Sequence, residues 1–308
     1  MPLVKPLPFL TQDRHSGIIT VGTDAANFLS ALQSPVVLVS IAGPGRTGKS
    51  FLANQILGRM DGFDVKPGLS ACTRGVWLWP SAQHINVPTP NGPRRVSLLV
   101  LDCQGVKDDP FENRCFCIAA ALSSAVVYSS LGALEEQQHE QLASLFTDTN
   151  ESADTLGSMD AVGKWPLAPL SSSLSPHSQM HPLHQLHALH ALHHPSSQLQ
   201  LQSLLEHHAA TPPLVIWALR DFSLALRDDR GAPMTAAQYL EASLRGEVRS
   251  VRDEYRRKVR GGRTGALVRR LLPRRDCVVL PRPVADEKLL GQLARLPPST
   301  LKPRWTSG

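Results

Sequence analysis

The stretch VVLVSIAGPGRTGKSFLANQILG, residues 36–58, decides the fold. Its first part, residues 36–42, is an apolar and β-branched run that predicts a buried strand. The residues from Gly43 to Ser50 match the phosphate-binding pattern G-x-x-x-x-G-K-[ST], and residues 51–58 have a helical pattern. A strand, this loop and a helix in that order predict a P-loop that binds a nucleoside triphosphate.

The residue types of this loop suit phosphate binding. Glycines let the backbone N–H groups turn toward the phosphates, and the N-terminus of the following helix adds its positive dipole. We expect Lys49 to reach the β- and γ-phosphates and Ser50 to bind Mg²⁺. The predicted nucleotide-binding residues of this loop and the start of its helix are Gly43, Pro44, Gly45, Arg46, Thr47, Gly48, Lys49, Ser50 and Phe51.

Two further segments predict the rest of a Mg²⁺-phosphate site. Asp102 follows the apolar run of residues 96–101, and Gly105 completes the pattern D-x-x-G, so we expect Asp102 to bind Mg²⁺ and Gly105 to meet the γ-phosphate. Residues 106–113 would then form the second switch. Thr73, just before the apolar run of residues 76–79, is predicted to complete the metal ligands Ser50, Thr73 and Asp102.

The base-binding residues are predicted at the end of the apolar run of residues 214–219. No N-K-x-D sequence follows this run, which ends directly in Arg220 and Asp221. The Asp221 carboxylate can accept hydrogen bonds from the N1 and N2 donors of guanine. Because adenine lacks that donor pair, a carboxylate here favours GTP over ATP. We therefore expect Arg220 and Asp221 to bind the nucleotide.

The fold class follows from the alternation of short apolar runs with helix-compatible stretches; further runs occupy residues 125–128 and 277–280. This pattern predicts an α/β P-loop NTPase fold, with a mostly parallel central sheet and helices on both faces. We predict one domain over residues 1–296 and a short proline-containing tail over residues 297–308. A short helical pattern at residues 287–296 precedes the tail.

A low-complexity segment rich in His, Ser and Leu is predicted to interrupt this domain at about residues 147–210. We interpret it as an expanded surface loop, with incidental metal binding as the alternative. A three-residue spacing drifts around a helix, so the imidazoles would not line one face. The histidines that recur at this spacing are His181, His184, His187, His190 and His193.

Composition limits the remaining function classes. The formal net charge of +6 is concentrated in residues 245–275, a segment that predicts a solvated helical face, with a membrane-surface or protein partner as the alternative and nucleic acid disfavoured. There is neither an apolar run of roughly 18 residues nor a secretory leader, so we expect a cytoplasmic protein without a transmembrane segment. The five cysteines contain no C-x-x-C pair, which favours reduced thiols over a metal site at Cys115 and Cys117.

Together these motifs resemble the guanylate-binding protein and atlastin class of dynamin-like GTPases, the GB1/RHD3 type. The resemblance rests on G-x-x-R-T-G-K-S at residues 43–50, T-x-G-x-W-x-W at residues 73–79 and L-R-D-F-S-L at residues 219–224. It extends to F-L-S-A-L at residues 28–32 and R-P-V at residues 282–284. It implies a large GTPase domain that hydrolyses GTP with Mg²⁺ and forms a nucleotide-dependent homodimer. The resemblance also implies a helical stalk, of which only the short helical pattern before the tail is found, so we expect either an excised domain or a minimal form.

The resemblance also implies roles for individual residues. Arg46 is similar to the family's internal arginine finger, so the catalytic set becomes Arg46, Lys49, Thr73 and Gln104, and residues 281–290 resemble the family's guanine cap. Two positions depart from the family pattern. Ala71, with Ser70 adjacent, stands where a serine helps to position the attacking water, and Gln104 stands where glutamate is usual. These departures leave an alternative, a GTP-binding interaction module with little or no hydrolysis.

Overall fold

The computed structural model describes residues 4–12, 19–32, 35–65, 74–105, 110–151, 212–228, 230–247 and 263–302. Within these ranges the strands are β1 Leu7–Gln12, β2 Ile19–Val21, β3 Val36–Ala42, β4 Val76–Leu78, β5 Gln83–Val87, β6 Arg94–Cys103, β7 Ala125–Leu131, β8 Leu214–Arg220 and β9 Arg275–Leu280. The α-helices are α1 Thr23–Ser30, α2 Lys49–Ile56, α3 Pro110–Leu122, α4 Glu136–Glu151, α5 Ala236–Leu244 and α6 Arg263–Leu271. Two 3₁₀ helices, Glu287–Arg295 and Pro298–Thr300, follow.

These strands form one sheet in the order β2-β1-β4-β6-β3-β7-β8-β9, with β5 also paired to β6. The strands from β6 through β3, β7 and β8 to β9 run parallel to their neighbours. The pairings among β2, β1, β4, β5 and β6 are antiparallel. The predicted α/β fold with a mostly parallel central sheet is confirmed, and the antiparallel side is an extension that the sequence did not predict.

The two faces of the sheet pack against different helices. Along β3, Leu38 and Ala42 belong to a core that also contains buried residues of α1, α3, α4, α5 and α6. Ile41, between them, points to the opposite face and packs with residues of α2 and of the C-terminal segment. Alternation with a period of two is the geometry of a strand that is buried on both faces. Helices therefore cover both faces, as predicted.

Strand direction brings the predicted motifs to one edge of the sheet. Because β3, β6 and β8 are parallel, their carboxyl ends and the loops that follow them meet at that edge. Strand β4 is antiparallel to β6, so its beginning lies beside the end of β6, where Val76 pairs with Cys103. Arg74 and Gly75, which lead into β4, therefore lie at the same edge.

The ends of several elements differ from the predicted ranges. Helix α4 continues to Glu151, beyond the start of the predicted low-complexity segment. The C-terminal helical pattern folds as a 3₁₀ helix, and Leu301, in the predicted tail, is buried against the α2 side of the sheet. The histidines at residues 181–193 lie outside the described residues.

Candidate nucleotide-binding site

The loop between β3 and α2 adopts a tight backbone path. Gly43 has φ 131° and Gly48 has φ 73°, and Arg46 also lies in the left-handed region with φ 64°. A Cβ atom on Gly43 would stand 2.2 Å from the carbonyl oxygen of Ser129 on β7, so only glycine fits there. Ser129, which the sequence did not single out, also donates from its Oγ to the Thr47 carbonyl at 3.2 Å. The end of β7 thus packs against the loop at Gly43 and Thr47.

Lys49 is directed into the loop. Its Nζ donates to the Pro44 carbonyl oxygen at 2.8 Å, and Thr47 Oγ1 donates to the same oxygen at 3.0 Å. Burial lowers the pKa of Lys49, and the negative charge of nearby Asp102 opposes this shift. The buried Lys49 ammonium donates to a neutral carbonyl oxygen. It can exchange this oxygen for a charged phosphate oxygen.

Ser50 and Asp102 meet at the mouth of the loop. Ser50 Oγ donates to Asp102 Oδ2 at 2.7 Å, and the Asp102 side chain comes from a residue that is only 1% exposed. A hydroxyl and a carboxylate oxygen at this distance match the hard oxygen ligands that Mg²⁺ prefers. The predicted metal ligands Ser50 and Asp102 are therefore together, whereas Thr73 lies outside the described residues.

Gly105 lies directly against the phosphate-binding loop. A Cβ atom on Gly105 would be 2.6 Å from Gly45 Cα, 2.9 Å from Gly45 N and 3.2 Å from Lys49 Nζ. Two backbones can approach this closely only where neither carries a side chain. The D-x-x-G glycine and the loop lysine thus share one small space, as the predicted γ-phosphate site requires.

The side chain of Gln104 is engaged by two neighbours. Gly75 N donates to Gln104 Oε1 at 2.6 Å, and Gln104 Nε2 donates to Glu112 Oε1 of α3. Glu112 is 6% exposed and close enough to Lys49 for its charge to raise the pKa of that lysine. The sequence did not predict a role for Glu112, because a helical glutamate ten residues beyond Asp102 matches no motif.

Arg220 binds the loop itself. Its Nη1 donates to the carbonyl oxygens of Thr47 and Gly48 at 3.2 and 3.1 Å, and its guanidinium lies over the Phe51 ring, 5.8 Å from the centroid. Burial lowers the pKa of Arg220 to about 10, which leaves the group cationic at neutral pH. Phe51 itself is buried beneath the guanidinium, with 2% of its surface exposed.

Asp221 points away from the loop. Its φ of 56° is left-handed, and its Oδ2 lies 3.5 Å from Nε of Arg282. Arg282 belongs to the segment predicted as a guanine cap, so that segment and the predicted base-binding carboxylate are in contact. Val284 of the same segment is buried with Leu293 in the core that contains α2.

The remaining predicted features are Arg46, the two switch segments and the basic segment. Arg46 is exposed, and residues 70–73 and 106–109 lie outside the described residues. At the ends of the basic segment, Arg275 binds the Glu241 carboxylate through two nitrogens, at 2.6 and 2.9 Å, and Arg245 binds Glu247. These two arginines are committed to internal contacts, while residues 248–262 lie outside the described part of the chain.

The described cysteines are free thiols. Cys103 and Cys115 are buried, and burial raises the pKa of Cys103 and raises that of Cys277 to about 12. Cys117 Sγ donates to the Leu145 carbonyl at 3.2 Å. Searching the described ranges finds no group of three or more His, Cys, Asp or Glu side chains that could hold a metal ion. In the same ranges no helix is both long and apolar enough to cross a membrane.

The glycine-rich loop with its lysine, the Ser50 and Asp102 oxygens and the close approach of Gly105 define a P-loop nucleotide-binding protein. The particular family follows from comparison. The family model "Guanylate-binding protein, N-terminal domain" matches residues 16–163 and 174–307. The chain belongs to the guanylate-binding protein family, which is a family of GTPases, and carries that family's N-terminal domain.

Individual relatives agree with this assignment. Guanylate-binding protein 2 from Homo sapiens is 29% identical over 303 residues, which are 97% of this chain and 42% of the relative. Guanylate-binding protein 1 from Mus musculus is 30% identical over 283 residues, which are 89% of this chain and 39% of the relative. The chain thus spans about two fifths of the length of the curated relatives it matches. A solved structure of Toc33 from Arabidopsis thaliana with Mg²⁺ and GMPPNP is 13% identical over 67% of this chain and 80% of that one, with a TM-score of 0.27, which supports no inference.

Proposed function

We propose that this domain binds GTP and hydrolyses it with Mg²⁺, and that nucleotide binding drives its homodimerisation. The observation that carries the proposal is the contact between Ser50 Oγ and Asp102 Oδ2 at 2.7 Å, beside Lys49. The P-loop and the D-x-x-G motif, which are far apart in the chain, thereby bring a hydroxyl, a carboxylate and an ammonium together. Family membership supports GTP as the nucleotide.

Phosphate binding follows from the loop and from α2. The backbone N–H groups of residues 45–50 and the N-terminus of α2 favour negative charge at the loop centre. Lys49 Nζ, now bonded to the Pro44 carbonyl, would exchange this bond for the β- and γ-phosphates. The Gly105 N–H, on the other wall, would donate to the γ-phosphate.

Ser50 and Asp102, together with Thr73, would hold Mg²⁺. When bound there, Mg²⁺ would supply positive charge that offsets the negative charge developing on the phosphate oxygens. Asp102 is buried, so its carboxylate keeps one orientation and positions Ser50 before the nucleotide arrives. The residues of this chain thus contribute preorganised charge and geometry rather than covalent chemistry.

Arg46 is proposed as the residue that stabilises the negative charge developing on the phosphates in the transition state. Its left-handed backbone projects it from the loop, and it is exposed in the monomer. Burial against a second domain would hold this cation over the phosphates. Dimerisation would in this way raise the rate of hydrolysis.

Asp221 would select guanine, and Arg282 would lie beside the base.

Hydrolysis is tested by measuring phosphate release from GTP, with products resolved, across a range of protein concentrations. We expect Lys49→Ala to lose GTP binding and turnover, and Arg46→Ala to keep binding but lose about 10³ in kcat. Arg230→Ala, which removes an exposed arginine from a turn remote in sequence from the loop, is the matched control and should leave both unchanged. Turnover that persists in the Lys49 and Arg46 variants would contradict the mechanism.

A second function is favoured by one observation, the engagement of Gln104 by Gly75 and Glu112. A glutamine held in this way is not turned toward an attacking water. The domain would then be a GTP-binding interaction module with little turnover. Tight GTP binding with negligible phosphate release, even at concentrations at which the domain dimerises, would support this alternative over the GTPase.

We place the domain in the cytoplasm, where its free thiols would remain reduced. The basic residues of segment 245–275, apart from Arg245 and Arg275 with their internal contacts, are proposed to contact a protein or an anionic membrane surface rather than nucleic acid. Binding to vesicles with anionic lipid that disappears at moderate salt would support the membrane surface as the partner. A protein partner would instead leave vesicle binding absent at every salt concentration.

A further inference from the structure

The orientation of the Gln104 amide is determined by its two partners. Because Gly75 N is a donor, the atom it faces must be the amide oxygen, and the amide nitrogen is then directed at Glu112 Oε1. The backbone N–H of Gln104 also donates to the Gly75 carbonyl at 2.8 Å. Gly75 is therefore held by Gln104 at both its N–H and its carbonyl group.

The residue type at position 104 follows from these neighbours. A side chain that fits between a backbone N–H and a buried carboxylate must accept on one side and donate on the other, as glutamine does. Glutamate at position 104 would set a second carboxylate against Glu112. Two carboxylates in contact at a buried position cannot both remain ionised without a large cost. The chain's glutamine and its helical glutamate thus belong together.

The pair connects the parts of the site that act on the γ-phosphate. Gly75 begins the entry into β4, directly after residues 66–73 with the predicted ligand Thr73, and has φ 72°. A Cβ atom on Gly75 would be 2.1 Å from the Leu10 carbonyl oxygen, so the main chain at this point fits closely against β1. On its other side, Gln104 is followed by Gly105, which lies against Gly45 and Lys49.

We propose that Gln104 and Glu112 form a positioning pair for GTP hydrolysis. Glu112 holds the Gln104 amide, and the amide holds Gly75, so the backbone at Gly75, which leads into β4, stays at one distance from Gly105 and the loop. The inference rests on the proposed GTPase function and assigns Glu112, a residue outside the known motifs, to that site. Neither side chain needs to touch the substrate for this role.

The test is a double-mutant cycle on steady-state GTP hydrolysis and GTP affinity. Gln104→Glu sets two carboxylates together and should lower kcat at least about tenfold while changing GTP affinity by less than about threefold. Glu112→Gln keeps an acceptor but loses its charge, so a smaller loss, about threefold, is expected. In the double variant the glutamate at position 104 can accept from both Gly75 N and the new amide, and kcat should rise at least about fivefold above that of Gln104→Glu.

Two controls accompany the cycle. Gln137→Glu makes the same chemical change at an exposed position of α4 and should leave kcat unchanged. Hydrogen exchange at the Gly75 amide should become faster in Gln104→Glu and slow again in the double variant, while thermal unfolding confirms that each variant is folded.

The possible results distinguish a failure of the Gln104–Glu112 positioning pair from a failure of the proposed GTPase function. A wild-type domain that releases no phosphate at any concentration overturns the proposed GTPase and this role with it. An active wild type in which Gln104→Glu loses the same factor with and without Glu112→Gln overturns the pair alone. Coupling in Gly75 exchange without coupling in kcat shows a merely structural contact and also overturns the proposal.

Discussion

Arg220 and Asp221 are neighbours in the chain, but their side chains serve different parts of the site. Arg220 donates to the carbonyl oxygens of Thr47 and Gly48, whereas Asp221 lies 3.5 Å from Arg282 at the predicted base side. The change of direction comes from the left-handed backbone of Asp221, which turns the chain after β8. Among the described residues, Arg46 and Asp221 are the non-glycine positions with positive φ. Backbone strain is thus concentrated where the nucleotide would bind.

The division between Arg220 and Asp221 predicts two kinds of loss. Arg220→Met removes the support of the phosphate-binding loop, so affinity should fall more for GDP and GTP, by about tenfold or more, than for GMP. Asp221→Asn should lower affinity for GMP, GDP and GTP by a similar factor. It should also favour xanthine nucleotides, because an Asn amide can donate to the xanthine O2. Fluorescence titration with this nucleotide series measures both effects.

The same series also provides the contradicting result. If Arg220→Met weakens GMP, GDP and GTP equally, Arg220 acts at the base and not through the loop. Arg227→Met, in the segment after β8, is the matched control, because its Nη1 donates to the Gly231 carbonyl in an exposed turn. It should leave all three affinities unchanged.

At the scale of elements, α5 shows how side chains join helices to the sheet. Its N-cap Thr235 accepts from Gln238 N while the Gln238 side chain accepts from Thr235 N, which is a capping box. Glu241 of α5 receives both nitrogens of Arg275 at the start of β9. Tyr239, in the same helix, accepts from Leu134 N at 3.0 Å. The Arg275 contact connects α5 to β9, and the Tyr239 contact connects it to the chain after β7.

We expect Thr235→Ala to lower the free energy of unfolding by about 1 kcal/mol, because the Gln238 N–H loses its capping acceptor. Nucleotide affinity should not change, since Tyr239, Leu240 and Leu244 of α5 pack in the core on the face of the sheet opposite α2. Thermal or urea unfolding measures the effect. Thr23→Ala, at the start of α1 where no side-chain cap forms, is the control and should change stability by less than about 0.5 kcal/mol. An equal loss in both variants would contradict the assignment of the cap.

The elements that the sequence predicted well are those buried on both faces. Strand β3 has the predicted bounds, and the runs for β7 and β8 continue by only a few residues, because continuous apolar residues identify a central strand directly. Strands β1, β2 and β5 were not predicted. β1 contains Pro8, β2 is only three residues long, and β5 has alternate residues exposed, so none forms a continuous apolar run.

At the scale of the whole molecule, the proposed dimer predicts a mass that depends on nucleotide. The P-loop, Asp221 and the cap segment share one edge of the sheet, so a second domain that covers this edge would bury Arg46. Light scattering should show the mass of a monomer without nucleotide and of a dimer with a non-hydrolysable GTP analogue. Arg46→Ala should weaken this dimer, and Arg230→Ala should not. A constant monomer mass at every protein concentration would contradict the dimer.

The site as a set of motifs was predictable from the sequence alone. The loop of residues 43–50, Asp102 and Gly105 follow apolar runs at standard distances, and phosphate chemistry restricts the residue types that can occupy those positions. Parallel strands with such loops meet at one edge of a sheet, so the contact between Ser50 and Asp102 was expected. Family membership was expected for the same reason and is confirmed.

Only the tertiary structure decided which side chains act through others. The sequence did not predict that the Arg220 guanidinium donates to loop carbonyls, or that Gln104 is shared between Gly75 and Glu112. These contacts join residues on different strands and helices, whose relative rotation depends on how both faces of the sheet pack. Local patterns record the chemistry that a motif needs and the period of each element. They do not record which donor a packed side chain finds, because that depends on atoms brought together by the whole fold.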